Sequence, residues 1–226
     1  MAYPVTHLYV AHLLLKKKEI ENAEMFLLGS IAPDAVHFRK CFQGAGMAEI
    51  GAAKKITHLC PVSGEKWGQV TDNERWEKNV ASFLAAGQND SFRLGYATHV
   101  LTDIYNNKTL WHNYRTNHPN EAKKGYGGGY YDDLRQIDRL LKENTEYVEA
   151  IFGKLSASKS MGMDGLVDAH EVSAIKQSLL DEIYSVGKVA ATSGGLNKIQ
   201  ETTFVSYDEM LIFIKNAALF CGRVVL

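Results

Sequence analysis

The sequence has few of the features that mark secreted, membrane-spanning or polyanion-binding proteins. Its 226 residues include only three cysteines, Cys41, Cys60 and Cys221, with no CxxC pair, a pattern typical of reduced thiols rather than of a disulfide framework. No run of 18 apolar residues occurs, so no transmembrane helix is predicted. Lysine and arginine (25) nearly balance aspartate and glutamate (26), so no overall basic field favours a stable nucleic-acid complex.

The N-terminal stretch MAYPVTHLYVAHLLLKKKEI lacks the charge order of a secretory signal. Its lysines follow the apolar run instead of preceding it, and His7 and His12 interrupt that run, whereas a signal peptide begins with its positive charges. We therefore expect a soluble, cytoplasmic protein.

Strand signals are also scarce, because no run of β-branched residues alternates with period two and there are only four prolines. Residues 125–129 predict a glycine-rich loop, and residues 155–169 a mobile surface loop. Apolar residues at helical spacing and suitable cap residues predict helices at 5–16, 20–28, 73–86, 90–107, 131–154, 170–187 and 206–222. The sequence thus predicts one all-α domain over residues 1–226.

His99 and Asp103 lie four residues apart in the apolar stretch GYATHVLTD. In a helix, positions i and i+4 share one face, so the two side chains project together, as paired histidines do in helical zinc sites. Two interpretations apply to this pair alone: a buried hydrogen bond or part of a metal site.

Two other histidines occur in similar apolar surroundings, His7 in THLYVAH and His58 in KKITHLC. An unpaired buried imidazole is costly, and a cation bound by three histidines and Asp103 would satisfy all of them. Imidazole and carboxylate ligands without a thiolate favour zinc, with manganese or iron as alternatives. Asp34, in GSIAPDAVHF, is either a helix N-cap or a functional carboxylate of the same site.

The series THLYVAH, GSIAPD, KKITHL and FRLGYATHVLTD, followed by a further histidine, resembles the zinc-dependent phospholipase C family, which is structurally related to single-strand-specific nucleases. The likeness covers residues 3–118 and is greatest to the short intracellular bacterial members. It implies an α-helical fold around two or three zinc ions that hydrolyses phosphodiester bonds.

The resemblance also implies roles for the matching residues. His58, His99 and Asp103 would hold one zinc ion, and Asp103 would reach a further ion bound by His7. Asp34 would lie among the metal ligands and orient or deprotonate the attacking water.

The remaining ligands of the family are matched less well. Secreted members use a processed N-terminal tryptophan, whereas this chain begins MAYPVTH. The histidine that the family places six residues after the helix aspartate is Thr109 here, so the resemblance assigns its role to His112, with His118 as the alternative.

The later His-x-x-x-Glu of the family is missing too, and GYYDDLRQID occupies the comparable place. Asp133 is our predicted substitute ligand, with Asp132 as its alternative. Both also fit an acidic pair that opens a helix and complements its dipole. His170 and Glu171 have the wrong spacing.

The resulting hypothesis is a zinc-dependent phosphoric ester hydrolase that acts on a small phosphoester, with a lipid head group or a nucleotide both open. The alternative is a non-catalytic helical protein that retains one metal ion or none. Several aromatic residues either line the mouth of the site or pack in the core: Trp111, Tyr114, Tyr126, Tyr130 and Tyr131.

Overall fold

The computed structural model describes residues 3–17, 19–42, 46–87, 90–193 and 202–225. These ranges contain no β-strand, only an isolated bridge between Met163 and Val167, so the all-α prediction is confirmed. Short 3₁₀ segments lie at Ala32–Phe38, Lys40–Phe42 and Gly125–Gly127. The helices are α1 (Pro4–Lys17), α2 (Ala23–Gly29), α3 (Met47–Thr57), α4 (Asn73–Ala85), α5 (Ser91–Lys108), α6 (Leu110–Asn117), α7 (Pro119–Ala122), α8 (Gly129–Glu143), α9 (Thr145–Ala157), α10 (Ala169–Ser193) and α11 (Tyr207–Val225).

Cap residues account for most of the helix starts that the sequence predicts. Asn22, Asp72 and Asp90 each accept a hydrogen bond from a backbone N–H in the first turn of α2, α4 and α5, which satisfies donors that have no intrahelical partner. One prediction is wrong: the segment 131–154 forms two helices, α8 and α9, which meet at Asn144. The segment ATSGGLNKIQETTF (191–204), between the last two predicted helices, also predicts a loop, and its residues 194–201 lie outside the described residues.

Helix α5 is the centre of the fold. Fourteen of its 18 residues are buried, and it packs against α1, α2, α4 and α11. A helix surrounded on all sides carries its polar side chains into the interior as well as its apolar ones. His99 and Asp103 are therefore placed inside the protein by the position of α5.

Helices α2 and α5 cross at unusually short range through two glycines. A Cβ on Gly29 would lie 2.1 Å from the carbonyl oxygen of Phe92, and a Cβ on Gly95 would lie 2.0 Å from that of Phe26. Only glycine allows the two backbones to approach this closely. The crossing brings the carbonyl of Ser30, at the end of α2, to the imidazole of His99.

The loop predicted to be mobile, residues 155–169, makes defined contacts with the segment that follows Asp34. Arg39 donates to the carbonyl oxygen of Leu166 at 2.8 Å and to the carboxylate of Glu171 at 2.6 and 3.2 Å. These bonds fasten the 3₁₀ segment Ala32–Phe38 to the start of α10. Along the described residues, no helix combines the length and the apolar character that a bilayer crossing requires.

Candidate metal centre

His99 and Asp103 project from one face of α5 into a buried cluster of polar side chains. Both are almost fully buried, and His99 Nε2 lies 3.9 Å from Asp103 Oδ2. The His99 Nδ1–H donates to the Ser30 carbonyl oxygen at 2.8 Å. This bond fixes the tautomer and leaves Nε2 as the nitrogen with a lone pair directed into the cluster.

His58 enters the cluster from the C-terminal end of α3. Its Nδ1–H donates to the Lys54 carbonyl oxygen at 2.9 Å, so its Nε2 also carries the lone pair, and this atom lies 3.2 Å from His99 Nε2. The end of α3 is itself fixed, because Trp76 donates to the His58 carbonyl and Tyr96 to the Thr57 carbonyl. The two imidazoles therefore converge from separate helices, each oriented by a backbone carbonyl.

Asp34 comes from the 3₁₀ segment and faces both imidazoles. Its Oδ1 lies 3.5 Å from His58 Nε2, and its Oδ2 lies 3.9 Å from His99 Nε2. The N-cap interpretation does not describe this side chain, whose carboxylate is turned toward the cluster and accepts a hydrogen bond from Lys54 at 2.6 Å.

His7, on α1, completes the group. Its ring stacks on that of His99, with centroids 3.6 Å apart and planes 8° from parallel. His7 Nε2 lies 3.6 Å from Asp103 Oδ1, and within the part of the chain that the structure describes neither ring nitrogen has a hydrogen-bond partner. A buried polar atom normally has a hydrogen-bond partner. The ring nitrogens of His7 therefore fit a role as metal ligands.

The spacing of these atoms fits a metal ion. Four ligands at 2.0–2.1 Å from a tetrahedral zinc ion lie roughly 3.3 Å from one another. Distances from His58 Nε2 to its three neighbours in the cluster are 3.2, 3.5 and 3.5 Å. Two groups with compatible spacing occur among the described residues: Asp34, His58 and His99, and His7, His99 and Asp103.

His99 belongs to both groups, yet its Nδ1 is bonded to Ser30, so its one remaining nitrogen serves a single ion. Asp103 has an oxygen for each side, because Oδ2 lies 3.5 Å from His58 Nε2 while Oδ1 faces His7. Asp34 and Asp103 thus each face both His58 and His99, and Asp103 also faces His7.

Burial prepares the imidazoles to act as ligands. Desolvation lowers the pKa of His58 to about 3 and lowers that of His7 well below its usual value, so both are neutral, as metal binding requires. The two carboxylates differ. Burial raises the pKa of Asp103, whereas for Asp34 burial is outweighed by the Lys54 ammonium and by His58, which hold its pKa well below the usual range.

The structure places the other predicted ligands elsewhere. Neither metal-compatible group includes His112 or its alternative His118, and both are exposed, on α6 and at its C-terminal end. Asp133 is buried, but its carboxylate accepts hydrogen bonds from the backbone N–H groups of residues 203–205. Asp132 is exposed and pairs with Arg135.

An imidazole that binds a metal needs a hydrogen-bond acceptor for its other ring nitrogen, and the sequence offers Asn106 and Asn107 shortly after Asp103, along with backbone carbonyls. The carbonyls of Ser30 and Lys54 take this role. Asn106 instead accepts from Tyr130, and Asn107 donates to the Val70 carbonyl.

Lys54 is the main residue of the site that the sequence reasoning missed. Its ammonium lies 2.6 Å from Asp34 Oδ1 and 3.2 Å from His37 Nε2. The signal was present, because Lys54 stands four residues before His58 and so shares its helical face. Of the aromatic residues proposed for the mouth, Trp111, Tyr114 and Tyr130 pack on one another in the core.

Comparison with known proteins identifies the family of the chain. No curated protein and no solved structure matches the chain. A family model described as zinc dependent phospholipase C matches residues 6–174, about three quarters of the sequence, and this span includes His7, Asp34, His58, His99 and Asp103. The chain belongs to the zinc dependent phospholipase C family.

Proposed function

We propose that this protein is a zinc-dependent hydrolase of phosphodiester bonds. The observation that carries the proposal is the approach of His58 Nε2 and His99 Nε2 to 3.2 Å, with the carboxylates of Asp34 and Asp103 each 3.5–3.9 Å from both nitrogens. Two features support resident metal rather than a structural hydrogen-bond network: the carbonyl acceptors on the Nδ1 atoms of His58 and His99, and the His7 ring nitrogens, which have no hydrogen-bond partner among the described residues.

The positions of the residues suggest which of them would bind each zinc ion. His58, His99, Asp34 and Asp103 would hold one zinc ion, and Asp103 Oδ1 together with His7 would hold a second. When bound, zinc supplies a Lewis acid for the phosphoryl oxygens and makes water nucleophilic near neutral pH.

Asp34 would orient the attacking water by accepting a hydrogen bond from it. Its lowered pKa keeps it ionised as an acceptor but makes it a weak base, so directing the water is the better supported of the two roles considered for it. In the overall reaction the water oxygen bonds to phosphorus, the bond from phosphorus to one ester oxygen breaks, and the products are a phosphomonoester and an alcohol.

The test combines metal content with turnover. Purified protein should contain zinc by elemental mass spectrometry and should hydrolyse bis(p-nitrophenyl) phosphate. His99→Ala should remove both, because His99 lies in both ligand groups, while His170→Ala, which changes an exposed histidine, should remove neither.

Two results would contradict the proposal. Zinc and activity retained in His99→Ala would mean that the centre lies elsewhere. Zinc bound by the unaltered protein without cleavage of any phosphodiester or phosphomonoester would favour the non-catalytic alternative, which the position of His112 and Asp133 outside the cluster supports.

A further inference from the structure

Lys54 is a buried lysine that contacts the candidate metal centre by two routes. Its side chain is almost fully buried, although a buried ammonium is costly unless it is paired. The Lys54 ammonium donates to Asp34, and the Lys54 backbone carbonyl accepts from His58. A fixed positive charge therefore lies directly beside the cluster.

Lys54 lines two cavities. The first, of about 430 Å³, is lined by Tyr3, His37 and Asp34 among others. The second, of about 540 Å³, runs past Trp67 and Trp111. Lys54 and Tyr131 line both cavities, and Asp34 lines the first, so Lys54 is common to both cavities and bonds to a residue of the candidate metal centre.

The charges of the first cavity compensate one another. Asp138 and Glu182 lie there, and both pair with Lys142, at 2.9 and 2.6 Å. A group bound in this cavity would therefore contact ion pairs and not an excess of positive or negative charge.

The second cavity is basic. Besides Lys54, its lining includes Lys55, Lys66 and Lys123, against a single acidic residue, Glu65. The Glu65 carboxylate accepts hydrogen bonds from Thr71, whereas Lys55 donates to backbone carbonyls. The excess positive charge favours an anionic group.

We propose that Lys54 binds the phosphoryl group of a phosphodiester whose two alcohol portions occupy the two cavities, with an anionic portion in the basic one. This inference rests on the proposed function and adds a substrate class to it. A monoester would fill only one cavity, whereas a diester would place a substituent in each and its phosphoryl oxygens beside Lys54, the lysine that lines both. An ammonium paired with a phosphoryl oxygen forms a charge-assisted hydrogen bond, the stronger class of such bonds.

The first experiment measures binding, so it does not depend on turnover. Inorganic phosphate is titrated into zinc-loaded protein by calorimetry, with the zinc content of every variant measured in parallel. Lys54→Met should weaken phosphate binding about 10- to 100-fold and retain zinc. Lys54→Arg should recover most of the affinity, because it restores the cation.

The matched control is Lys176→Met. Lys176 is a half-buried lysine that donates to the Ser158 carbonyl at 2.8 Å and lies outside both cavities, so its loss should leave phosphate affinity unchanged. Unchanged affinity in Lys54→Met would overturn the inference. Loss of zinc in that variant would also overturn it, because Lys54 would then act only by holding Asp34 and His58.

The second experiment tests the charge of the substrate. Two p-nitrophenyl phosphodiesters are compared that differ in the second alcohol, one ending in a carboxylate and one in choline. The unaltered protein should show at least tenfold higher kcat/KM for the carboxylate ester, and Lys66→Glu with Lys123→Glu should remove that preference, mainly through KM. Equal or reversed preference in the unaltered protein would contradict an anionic substituent.

The two proposals fail separately. If the protein binds zinc and phosphate through Lys54 but cleaves neither ester, the hydrolase function fails while the phosphate site stands. If it cleaves both esters and Lys54→Met has the same KM and phosphate affinity, the hydrolase stands and the role of Lys54 is rejected.

Discussion

Two regions of this molecule contain a buried aspartate that the sequence predicts as a metal ligand, yet only one of the two has the geometry of a metal site. In the cluster around α5, Asp103 faces the Nε2 atoms of three histidines at 3.5–3.9 Å. At the start of α8, the carboxylate of Asp133 is surrounded by backbone N–H donors, and His112 points to solvent. The backbone N–H groups around Asp133 take up the oxygen lone pairs that a metal ion would need, whereas Asp103 faces imidazole nitrogens.

The largest effect is expected when the carboxylate of Asp103, which faces both candidate metal positions, is removed. Asp103→Asn should lower zinc affinity by more than about 100-fold and abolish phosphodiester hydrolysis, because an amide cannot supply two anionic oxygens. Dialysis against a chelator of known affinity, followed by elemental analysis, measures the loss. An Asp103→Asn protein that keeps its full zinc would place the centre outside this cluster.

The second prediction concerns the zinc-free protein, whose buried imidazoles make its stability depend on pH. The pKa of His58 is about 3 when folded and about 6.5 when unfolded, so the unfolded chain takes up a proton first as the pH falls. The stability present above pH 6.5 is therefore lost progressively toward pH 3. Between pH 7 and 5, His58 alone should account for about 2 kcal/mol.

Urea unfolding of the zinc-free protein at several pH values measures this slope. Asp103, whose pKa burial raises, acts in the opposite sense, so the comparison with His58→Gln isolates the histidine: the variant should show a smaller loss between pH 7 and 5. The same slope in both proteins would show that His58 is not held neutral by burial.

The third prediction concerns Asp133, at the start of α8. Asp133→Asn should destabilise the protein by about 1–3 kcal/mol, because an amide nitrogen would face N–H groups that the carboxylate now satisfies. Its zinc content should not change. Chemical unfolding and metal analysis of one preparation give both values, and a fall in zinc would return Asp133 to the ligand set.

The smallest effect is expected at His112. Its side chain is exposed, so His112→Ala should alter the free energy of unfolding by less than about 0.5 kcal/mol and leave zinc content and hydrolysis unchanged. A loss of activity with normal stability would show that the family resemblance assigned this residue correctly and that α6 approaches the site in the working enzyme.

The sequence predicted those parts of the fold and site that local patterns control. The caps Asp72 and Asp90 and the i, i+4 spacing of His99 and Asp103 act over a few residues, so they are readable without tertiary information. The break at Asn144 was missed because the apolar stripe continues across it. Lys54 was missed because its spacing to His58 indicates a shared helical face but not that its ammonium reaches Asp34, 20 positions away in the chain.

The sequence alone predicts an all-α chain with a net charge near zero. It also predicts which polar residues stand in apolar surroundings: His7, Asp34, His58, His99 and Asp103. The tertiary structure alone decided which of these atoms converge. The close crossing at Gly29 and Gly95 brings the Ser30 carbonyl to His99. Residues 203–205, just before α11, supply the N–H groups that donate to the Asp133 carboxylate. Both effects join residues about 70 positions apart, a distance over which chain packing, and no local pattern, sets the geometry.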